Sequence, residues 1–484
     1  MEPIQLTERL GRWSSGRGPL HVLLAARLRA LIDDGTLPPG AALPPDRRLS
    51  AILAVGRSTV VAAYEVLRAE GRIVRRQGSG TRVAGKPAAP VRDAHGTPVG
   101  DVHGTPVFLH LLEPRDGVIL LACAAPGAPP PEYLRACADV LPRLAAITDD
   151  IGYYPAGHPA LRRAIATYYA GRGVPTEPGE IIVTGGGQQA LSLLARAFVR
   201  PGERVLVENP SYPGALEAFR EEAAVLCPLP VGLAGFEAAA RRHRPCLAYA
   251  IPTYHNPTGA VLPALHRRRL ATTAASARVP LVDDEVISHL GFPGEPEPPP
   301  PLAAYAPDWV ISAGSLSKIV WGGLRIGWIR APAPVIGRLA RLRAVHDLGG
   351  NVLAQLAAAE LVPQLDALRR RQAAVRQAGY RHMRAELARH LPDWQVPSVR
   401  GGQTLWVRLP RGDGVSFAQA AIRHGVAVLP GTSLDAAGGS ADYLRLHFAT
   451  SPEVLTEAVR RLAAAWRAYD PPETRVTAPP ALAI

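Results

Sequence analysis

The sequence contains very little lysine. All but two of its 54 basic residues are arginine, and the two lysines are Lys86 and Lys318. Arginine can replace lysine as a charge but cannot form a Schiff base, so each remaining lysine is a candidate for amine chemistry. Lys86 lies in a stretch rich in proline and glycine, whereas Lys318 follows a predicted strand.

Cysteine is also scarce, and its pattern excludes the common cysteine-based sites. The four cysteines show neither a C-x-x-C pair nor the spacing typical of a zinc site or a disulfide framework. We therefore predict no metal site, and we interpret the cysteines as buried small hydrophobic residues. They are Cys123, Cys137, Cys227 and Cys246.

Long apolar runs are missing as well. No stretch approaches the roughly 20 uninterrupted apolar residues of a membrane helix, and MEPIQLTERLGRW at the start has no apolar core of signal-peptide length. We therefore predict a cytoplasmic protein without membrane contact. Apolar residues make up 47% and charged residues 20% of the 484 residues, a composition typical of folded proteins with more than one domain.

The positive charge is concentrated near the start of the chain. The formal net charge is +13, and residues 1–85 carry thirteen arginines against seven acidic residues. Such an excess is compatible with a polyanionic partner, although a basic surface can also be merely solvated.

The same region has the pattern of a winged helix. Apolar positions from Leu20 follow helical spacing up to Gly35. A short helix over Asp46–Leu53, a three-residue turn and a longer helix from Ser58 to Gly71 are typical of a helix-turn-helix. RIVRRQGSGTRV then predicts a basic hairpin around Gly78-Ser79-Gly80.

Strands and helices alternate in the rest of the chain. Apolar runs such as EIIVTGG, RVLVENP, CLAYAIP, VPLVDDEV, WVISAGS and LRIGWIR are separated by helical segments rich in alanine and leucine. This alternation predicts an α/β fold with a parallel sheet covered on both faces. Ligands are expected at the carboxyl ends of such strands.

One predicted strand ends in GSLSKIVWGGLRIGW. Lys318 there follows Ser315 and Ser317 and precedes Arg325. The amine suits an aldehyde, and the hydroxyls with the guanidinium suit a phosphate dianion. The alternative is a surface lysine at a strand end.

Other strand ends offer the remaining parts of a pyridoxal site. The glycines of TGGGQQAL at a helix start could bind a phosphate, and Tyr212 in ENPSYPG could stack on a pyridine ring. Asn256 in PTYHNPTG could donate to the ring oxygen, and a carboxylate in LVDDEVISHL could keep the pyridine nitrogen protonated. Each segment alone is compatible with an ordinary turn or plain packing.

In this order the segments resemble the fold-type I aminotransferases, and the whole chain resembles the MocR subfamily of GntR-type regulators. The resemblance implies a fold-type I transferase-like large domain, a smaller C-terminal α+β domain and an N-terminal winged helix-turn-helix. We expect a GntR-type winged helix over 1–84, a flexible linker over 85–117, an aminotransferase class I/II-like domain over 118–470 and a tail over 471–484. The implied cofactor is pyridoxal 5'-phosphate.

The resemblance also implies roles for individual residues. Lys318 would form the internal aldimine with the cofactor, Arg445 would grip an effector carboxylate, and Tyr153 would reach the phosphate bound by a partner subunit. Arg445 could instead make a structural salt bridge. The other implied cofactor-binding residues are Gly187, Gln188, Tyr212, Asn256, Asp284, Ser315, Ser317 and Arg325.

The sequence departs from the family pattern in two places, and the register of one residue is open. A tyrosine is usual two or three residues after the pyridine-binding aspartate, where this chain has Val286 and Ile287. Asp283 is an alternative to Asp284, which we choose because DEV with a hydrophobic tail matches the commoner pattern. In the winged helix, Pro45-Asp46 stands where two serines are usual.

At the DNA end, the helix near Ser58 would present Arg57, Ser58 and Thr59 to the major groove. Arg47 and the wing Gly78-Ser79-Gly80 would meet phosphates and the minor groove. The alternative is a winged helix that binds protein.

The sequence thus predicts a homodimeric transcription regulator of double-stranded operator DNA. It would sense pyridoxal phosphate, or an amine or amino acid, through an aldimine at Lys318. The rival hypothesis is an active aminotransferase with an accessory DNA-binding domain.

Overall fold

The chain divides into two compact units, Met1–Thr105 and Pro106–Ile484. The predicted linker over 85–117 and tail over 471–484 lie outside the described residues, apart from Gly117 and Pro471. The computed structural model describes residues 19–33, 41–53, 55–69, 72–76, 80–84, 117–123 and 125–471, together with Leu10, Trp13 and Leu37.

In the first unit, the described residues from 19 to 84 form three helices and a small antiparallel sheet. Its elements are α1 (Leu20–Asp33), β1 (Ala42–Leu43), α2 (Asp46–Leu53), α3 (Arg57–Ala69), β2 (Ile73–Arg76) and β3 (Gly80–Val83). The strand order is β1-β3-β2, and both pairs are antiparallel. The predicted first helix, helix-turn-helix pair and hairpin are confirmed, although α3 begins one residue before the predicted Ser58.

The core of this unit lies between α1 and α3. Tyr64 is buried as well, and its hydroxyl donates a hydrogen bond to the Pro44 carbonyl at 2.8 Å. The opposite side of α3 is left at the surface, where Arg57 and Ser58 are exposed. The fully buried side chains from both helices include Leu24, Leu28, Val60 and Leu67.

The second unit is built on a seven-stranded sheet. A short strand, β4 (Ile119–Leu120), precedes this sheet in the chain and belongs to a different sheet of the same unit. The order is β5-β11-β10-β9-β8-β6-β7. The strands are β5 (Ile181–Thr184), β6 (Arg204–Asn209), β7 (Val225–Pro230), β8 (Leu247–Ala250), β9 (Leu281–Asp284), β10 (Val310–Ser315) and β11 (Gly327–Arg330).

The prediction of a parallel sheet is wrong for one strand. β11 is antiparallel to both of its neighbours, β10 and β5, whereas the other pairs are parallel. A parallel neighbour would need a long crossover connection, usually a helix. Only residues 316–326, with a short 3-10 turn over Gly322–Leu324, separate β10 from β11.

Helices cover this sheet. Every residue of β5, β8, β9, β10 and β11 is buried, as expected for strands packed on both faces. Within the described part of the chain, no helix has both the length and the apolar character needed to cross a bilayer. The helices are α4 (Pro131–Ala145), α5 (Pro159–Gly171), α6 (Gly187–Phe198), α7 (Pro213–Glu221), α8 (Phe236–His243), α9 (Ala264–Ala277), α10 (Ala333–His346), α11 (Val352–Leu361) and α12 (Leu365–His390).

The last part of the chain forms a smaller α+β region with its own hydrophobic cluster, as predicted. An antiparallel sheet of order β12-β15-β14 lies beside a parallel pair of β13 and β4. Residues 119–120 therefore pair with a strand more than three hundred residues later in the chain. The remaining elements are β12 (Thr404–Arg408), α13 (Gly414–Arg423), β13 (Val426–Ala427), β14 (Leu429–Pro430), β15 (Tyr443–His447) and α14 (Pro452–Ala468).

A glycine in β10 is required by the packing of its antiparallel neighbour. Gly314 lies opposite Trp328 of β11, and a Cβ at this glycine would overlap the indole ring. Trp328 cannot easily withdraw, because it is buried and its indole nitrogen donates to the Tyr169 hydroxyl at 3.1 Å.

We expect Gly314→Ala to destabilise the second unit by about 1–3 kcal/mol, the usual cost of overpacking a core. Thermal unfolding of the full chain would show a lower midpoint. The matched control is Gly337→Ala in α10, where a Cβ meets no atom closer than 3.8 Å and should stabilise by about 0.5–1 kcal/mol. Equal midpoints for the two variants would contradict this account of β10.

Candidate functional site

A cavity of about 180 Å³ lies at the carboxyl edge of the large sheet and is closed by the C-terminal region. Ten of the eleven cofactor and effector residues predicted in this unit line it: Gly187, Gln188, Tyr212, Asn256, Asp284, Ser315, Ser317, Lys318, Arg325 and Arg445. The remaining lining residues are Ala122, Cys123, Leu191, Pro213, Ile251, Val286, Ile287, Gln403 and Thr404.

Lys318 lies in the turn that directly follows β10. Burial lowers the pKa of its ammonium group, and the positive charges of Arg445 and Arg325 act in the same direction. A lowered pKa increases the share of neutral amine, which is the nucleophilic form. The other lysine, Lys86, lies outside the described residues.

One end of the cavity is suited to a phosphate. α6 begins at Gly187, so the free N–H groups of its first turn and the positive end of the helix dipole lie here. The Ser315 and Ser317 hydroxyl oxygens are 3.0 Å apart. Arg325 adds a guanidinium that donates to the Gly185 carbonyl. Hydroxyls, a helix N-terminus and a guanidinium together form a donor set for a dianion.

Gly186 is needed for this approach of Arg325. Its φ is +113°, a conformation that favours glycine, and a Cβ here would lie 2.7 Å from a terminal nitrogen of Arg325. The close contact between this turn and the guanidinium explains why a glycine stands directly before α6.

Asp284, the last residue of β9, lies at the bottom of the cavity. Its carboxylate accepts hydrogen bonds from the Tyr249 hydroxyl at 2.6 Å and from the Val286 amide at 3.0 Å. Burial raises its pKa to about 6. Within the described residues these two donors are neutral, so a buried carboxylate faces the cavity without a cationic hydrogen-bond partner. A protonated pyridine nitrogen fits this position.

The neighbouring Asp283 points elsewhere. Successive side chains of a strand lie on opposite faces of a sheet, and the Asp283 carboxylate accepts from the Leu302 amide at 2.8 Å without lining the cavity. Burial, reinforced by the nearby charge of Glu285, raises its pKa to about 8. This placement favours the choice of Asp284 over Asp283.

Tyr212 and Gln188 hold each other in place. The Tyr212 hydroxyl donates to the Gln188 side-chain oxygen at 3.2 Å, and the Gln188 amide nitrogen donates to the Gly214 carbonyl at 2.7 Å. Burial raises the Tyr212 pKa to about 12, so its phenol stays protonated. The predicted stacking residue is therefore fixed by a hydrogen bond at its far end.

Arg445, from β15, closes the cavity on the other side. Its guanidinium donates to the Asn256 side-chain oxygen at 3.2 Å and to the Ala122 carbonyl, while its Nε has no partner among the described residues. Burial lowers its pKa to about 10, which leaves it charged at neutral pH. Neither hydrogen-bond acceptor is a carboxylate, and this disfavours the structural salt bridge.

Asn256 is positioned by a buried polar loop after β8. The preceding His255 lies 3.3 Å from the Glu208 carboxylate, and its other ring nitrogen lies 2.9 Å from the Thr258 hydroxyl. Glu208 also accepts from the Ile251 amide at 2.7 Å. These contacts fix the loop from which Asn256 reaches Arg445.

The departure at Val286 and Ile287 lies in the cavity wall. Both side chains line the cavity and contribute no hydroxyl. Val286 packs against the glycine at the start of α6, where a Cβ on Gly187 would lie 2.9 Å from it. Tyr153 is 61% exposed and does not line the cavity of its own chain, so its predicted role stays a prediction that requires a second subunit.

The sequence did not predict a site role for Tyr249 or for the group Ala122, Cys123, Gln403 and Thr404. Only Tyr249 could have been noticed, because it places a hydroxyl within the otherwise apolar strand LAYA. The other four come from segments far apart in the chain and show no motif.

On the first unit, Arg47, Arg57 and Ser58 are exposed and Thr59 is half-buried. Gly78 and Ser79 lie outside the described residues, and Gly80 begins β3. The predicted DNA-contacting residues of α2 and α3 are therefore accessible, while the wing stays a prediction.

Two family matches divide the chain in the same way as the fold. Residues 22–83 match the family "Bacterial regulatory proteins, gntR family", and residues 117–462 match "Aminotransferase class I and II". The second match covers most of the chain.

Several known proteins share this architecture or the larger unit. The probable rhizopine catabolism regulatory protein MocR of Rhizobium meliloti is 32% identical over 83% of this chain and 86% of its own length. The pyridoxine biosynthesis transcriptional regulator PdxR of Corynebacterium glutamicum is 32% identical over 78% of this chain and 81% of its own.

Among solved structures, the alpha-aminoadipate aminotransferase LysN of Thermus thermophilus, complexed with N-(5'-phosphopyridoxyl)-L-leucine, superposes with a TM-score of 0.68. It is 29% identical and covers 76% of this chain and 95% of its own. These neighbours confirm the predicted fold class and indicate pyridoxal phosphate as the cofactor of the larger unit.

Asp284→Asn should show separately how the buried carboxylate affects the stability of the cofactor-free protein and how it affects cofactor binding. The folded pKa of about 6 lies above the ordinary value of 3.8, so Asp284 lowers the stability of the cofactor-free protein as pH rises between these values. The variant does not show this decrease in stability with pH. It should therefore be more thermally stable than the wild type at about pH 8 but not at about pH 4. Its affinity for pyridoxal phosphate should fall roughly tenfold or more.

The control is Asp283→Asn, which removes the neighbouring carboxylate outside the cavity and should keep the wild-type cofactor affinity. Melting curves at the two pH values and a cofactor titration measure both effects. Unchanged cofactor binding in Asp284→Asn would show that Asp284 does not face the ring.

Proposed function

We propose that this chain, which belongs to the MocR-type regulators of the GntR family, is an operator-binding transcription regulator that senses pyridoxal phosphate or an amine. Its GntR DNA-binding domain is joined to an aminotransferase class I and II domain. The single observation that carries the sensing role is the placement of Lys318 in a cavity with a phosphate donor set and a buried carboxylate.

The residues of the cavity fit the cofactor in three places. Ser315, Ser317, Arg325 and the start of α6 would hold its phosphate, Asp284 its ring nitrogen, and Tyr212 one face of the ring. When bound, the cofactor supplies an aldehyde that condenses with an amine and a ring that accepts electrons. Lys318 provides the protein's own amine.

The effector would be an amine or amino acid that takes the place of Lys318. Its amino group would lie where the Lys318 amine lies without effector, and Arg445 would bind its carboxylate through Nε and the terminal nitrogens. Lys318 and Arg445 would therefore have different partners in the two states.

Regulation then requires only that the effector binds the two states of the protein with different affinity. We place the protein in the cytoplasm as a homodimer, in which Tyr153 of each subunit reaches the phosphate site of the other. Its two winged helices would bind the two halves of a double-stranded operator. The linker over 85–117 would carry the change to them.

Lys318→Ala should uncouple sensing from DNA binding. We expect the variant to bind DNA from upstream of its own gene in an electrophoretic mobility assay, because the first unit is unchanged, and to lose the shift in affinity caused by pyridoxal phosphate and amines. Lys86→Ala, which removes the other lysine, is the matched control and should respond as the wild type does. A normal response of Lys318→Ala would sink the proposal.

Arg57→Ala should weaken specific DNA binding more than its charge alone explains. Arg57 is exposed at the first turn of α3, where base contacts are expected; losing such a contact costs roughly 1–3 kcal/mol. The control is Arg68→Ala at the other end of α3, where Arg68 pairs with Glu65 at 2.6 Å. Equal losses for the two variants, measured by fluorescence anisotropy on operator and random DNA, would point to charge alone.

A second function, transamination, is favoured by one observation. The cavity holds an amine, a carboxylate and a guanidinium from Lys318, Asp284 and Arg445, and LysN, which is similar to the larger unit, is named an aminotransferase. Val286 and Ile287, where a tyrosine is usual, argue for the regulator. Rapid multiple turnover of an amino acid with a keto acid would reverse this ranking.

A further inference from the structure

Besides Asn256, which Arg445 contacts, the C-terminal side of the cavity contains three neutral polar side chains: Cys123, Gln403 and Thr404. They come from two distant segments and are assigned no role in holding the cofactor. Their positions and their unused hydrogen-bonding groups indicate what else this end of the cavity binds.

Strand pairing places Thr404 next to Arg445. Thr404 lies opposite His447 in the pair β12–β15, and Arg445 is two residues from His447. Residues two apart on a strand, and residues directly opposite, share one face of a sheet. The Thr404 side chain is therefore on the same face as the Arg445 guanidinium.

Cys123 and Gln403 complete this group. Arg445 donates to the carbonyl of Ala122, the residue just before Cys123. The main-chain oxygen of Gln403 accepts from the Phe448 amide at 3.1 Å, which fixes the backbone beside the end of β15. The three neutral side chains thus line the same cavity as the arginine that we assign to the effector carboxylate.

Of these three side chains, Gln403 says most about the chemistry of the ligand. The residue is 6% exposed, it lines the cavity, and its side-chain amide forms no hydrogen bond with any described residue. The Arg445 Nε is buried without a partner among the described residues. Buried polar groups are nearly always hydrogen-bonded, because leaving them unpaired is unfavourable. An amide that can donate and accept, in the same cavity as an unpaired guanidinium nitrogen, indicates a ligand with an anion and a neutral polar group.

The charges of the cavity exclude a second ionic group on that ligand. Its charged lining residues are Lys318, Arg325, Arg445 and Asp284, and each is already assigned to the amine, the phosphate, the effector carboxylate or the ring nitrogen. Apart from Lys318, whose place the effector amine takes, a side-chain carboxylate would find no further cation among the described lining residues. A side-chain ammonium would find no further anion.

We propose that the effector is a small amino acid with an uncharged, hydrogen-bonding side chain, and that Gln403 is the residue that selects it. Thr404 and Cys123 bound the same pocket and limit its size. This inference rests on the proposed function, because it names the class of ligand for the same cavity.

The test compares two amino acids of the same shape. The full-length protein loaded with pyridoxal phosphate is titrated with L-threonine and L-valine, which differ by a hydroxyl in place of a methyl group, and the absorbance of the cofactor gives the half-saturating concentration. L-serine with L-alanine forms a second pair, and L-aspartate and L-lysine test the charged side chains. We expect L-threonine to bind roughly tenfold or more tightly than L-valine, the effect of one buried hydrogen bond to a neutral partner.

Gln403→Met keeps the length of the side chain and removes its hydrogen bonds. It should abolish the preference for L-threonine and leave the affinity for L-valine unchanged. Gln403→Leu serves as a second variant, and thermal unfolding identifies any loss of fold. Gln403→Arg adds a cation and should move the preference towards L-aspartate.

The outcomes separate this inference from the proposed function. If amino acids change the absorbance but L-valine matches L-threonine, or if L-aspartate binds most tightly to the wild type, the selection by Gln403 is wrong while sensing stands. If no amino acid changes the absorbance of the loaded protein, sensing of amino acids and this inference fall together. Loss of the threonine preference in both Gln403→Met and Gln403→Leu, with the fold intact, establishes the role of Gln403.

Discussion

Five of the seven strands of the large sheet are buried along their whole length, and this constraint determines where the protein can do chemistry. A polar side chain inside such a strand would be buried without water, so polar groups collect where the strands end. Asp284 and Ser315 are the last residues of β9 and β10, and Lys318 follows one turn later. The reversed direction of β11 brings Arg325, just before this strand, back to the same edge. One edge therefore holds the groups for a ring, an aldehyde and a phosphate.

The second wall of the cavity comes from the C-terminal region. Arg445 is buried, and its guanidinium bridges the loop of Asn256 and the backbone of Ala122. Hydrogen bonds to neutral oxygens hold this cation in place without neutralising it. The site thus keeps the Asp284 carboxylate and the Arg445 guanidinium without an ionic partner among the described residues, and each has unused capacity for a ligand of opposite charge. A ligand with one group for Asp284 and another for Arg445 would bind the edge of the large sheet and the C-terminal region together.

Much of the site could be predicted because its residues stand in short motifs at strand ends. The scarcity of lysine directed attention to Lys318, and the hydroxyls and arginine around it are close in sequence. The direction of β11 could not be predicted, because an apolar run has the same pattern in parallel and antiparallel strands. Tyr249 was missed because a tyrosine inside a strand usually only packs. Gln403, Thr404 and Cys123 meet through long-range pairing of β12, β15 and the segment after β4, which local sequence does not record.

The pairing of β4 with β13 has a consequence for how this architecture can be rearranged. Ile119 and Leu120 are early in the larger unit by sequence, but their hydrogen bonds join them to its C-terminal region. Arg461 strengthens the same join by donating to the Gly117 carbonyl at 2.7 Å. A recombination that exchanged the DNA-binding head after Leu120 would remove an edge strand and disturb the segment that carries Ala122 and Cys123. A junction for gene fusion or domain grafting therefore has to lie before Gly117, so that different DNA-binding domains can be joined to the larger unit without altering its cavity.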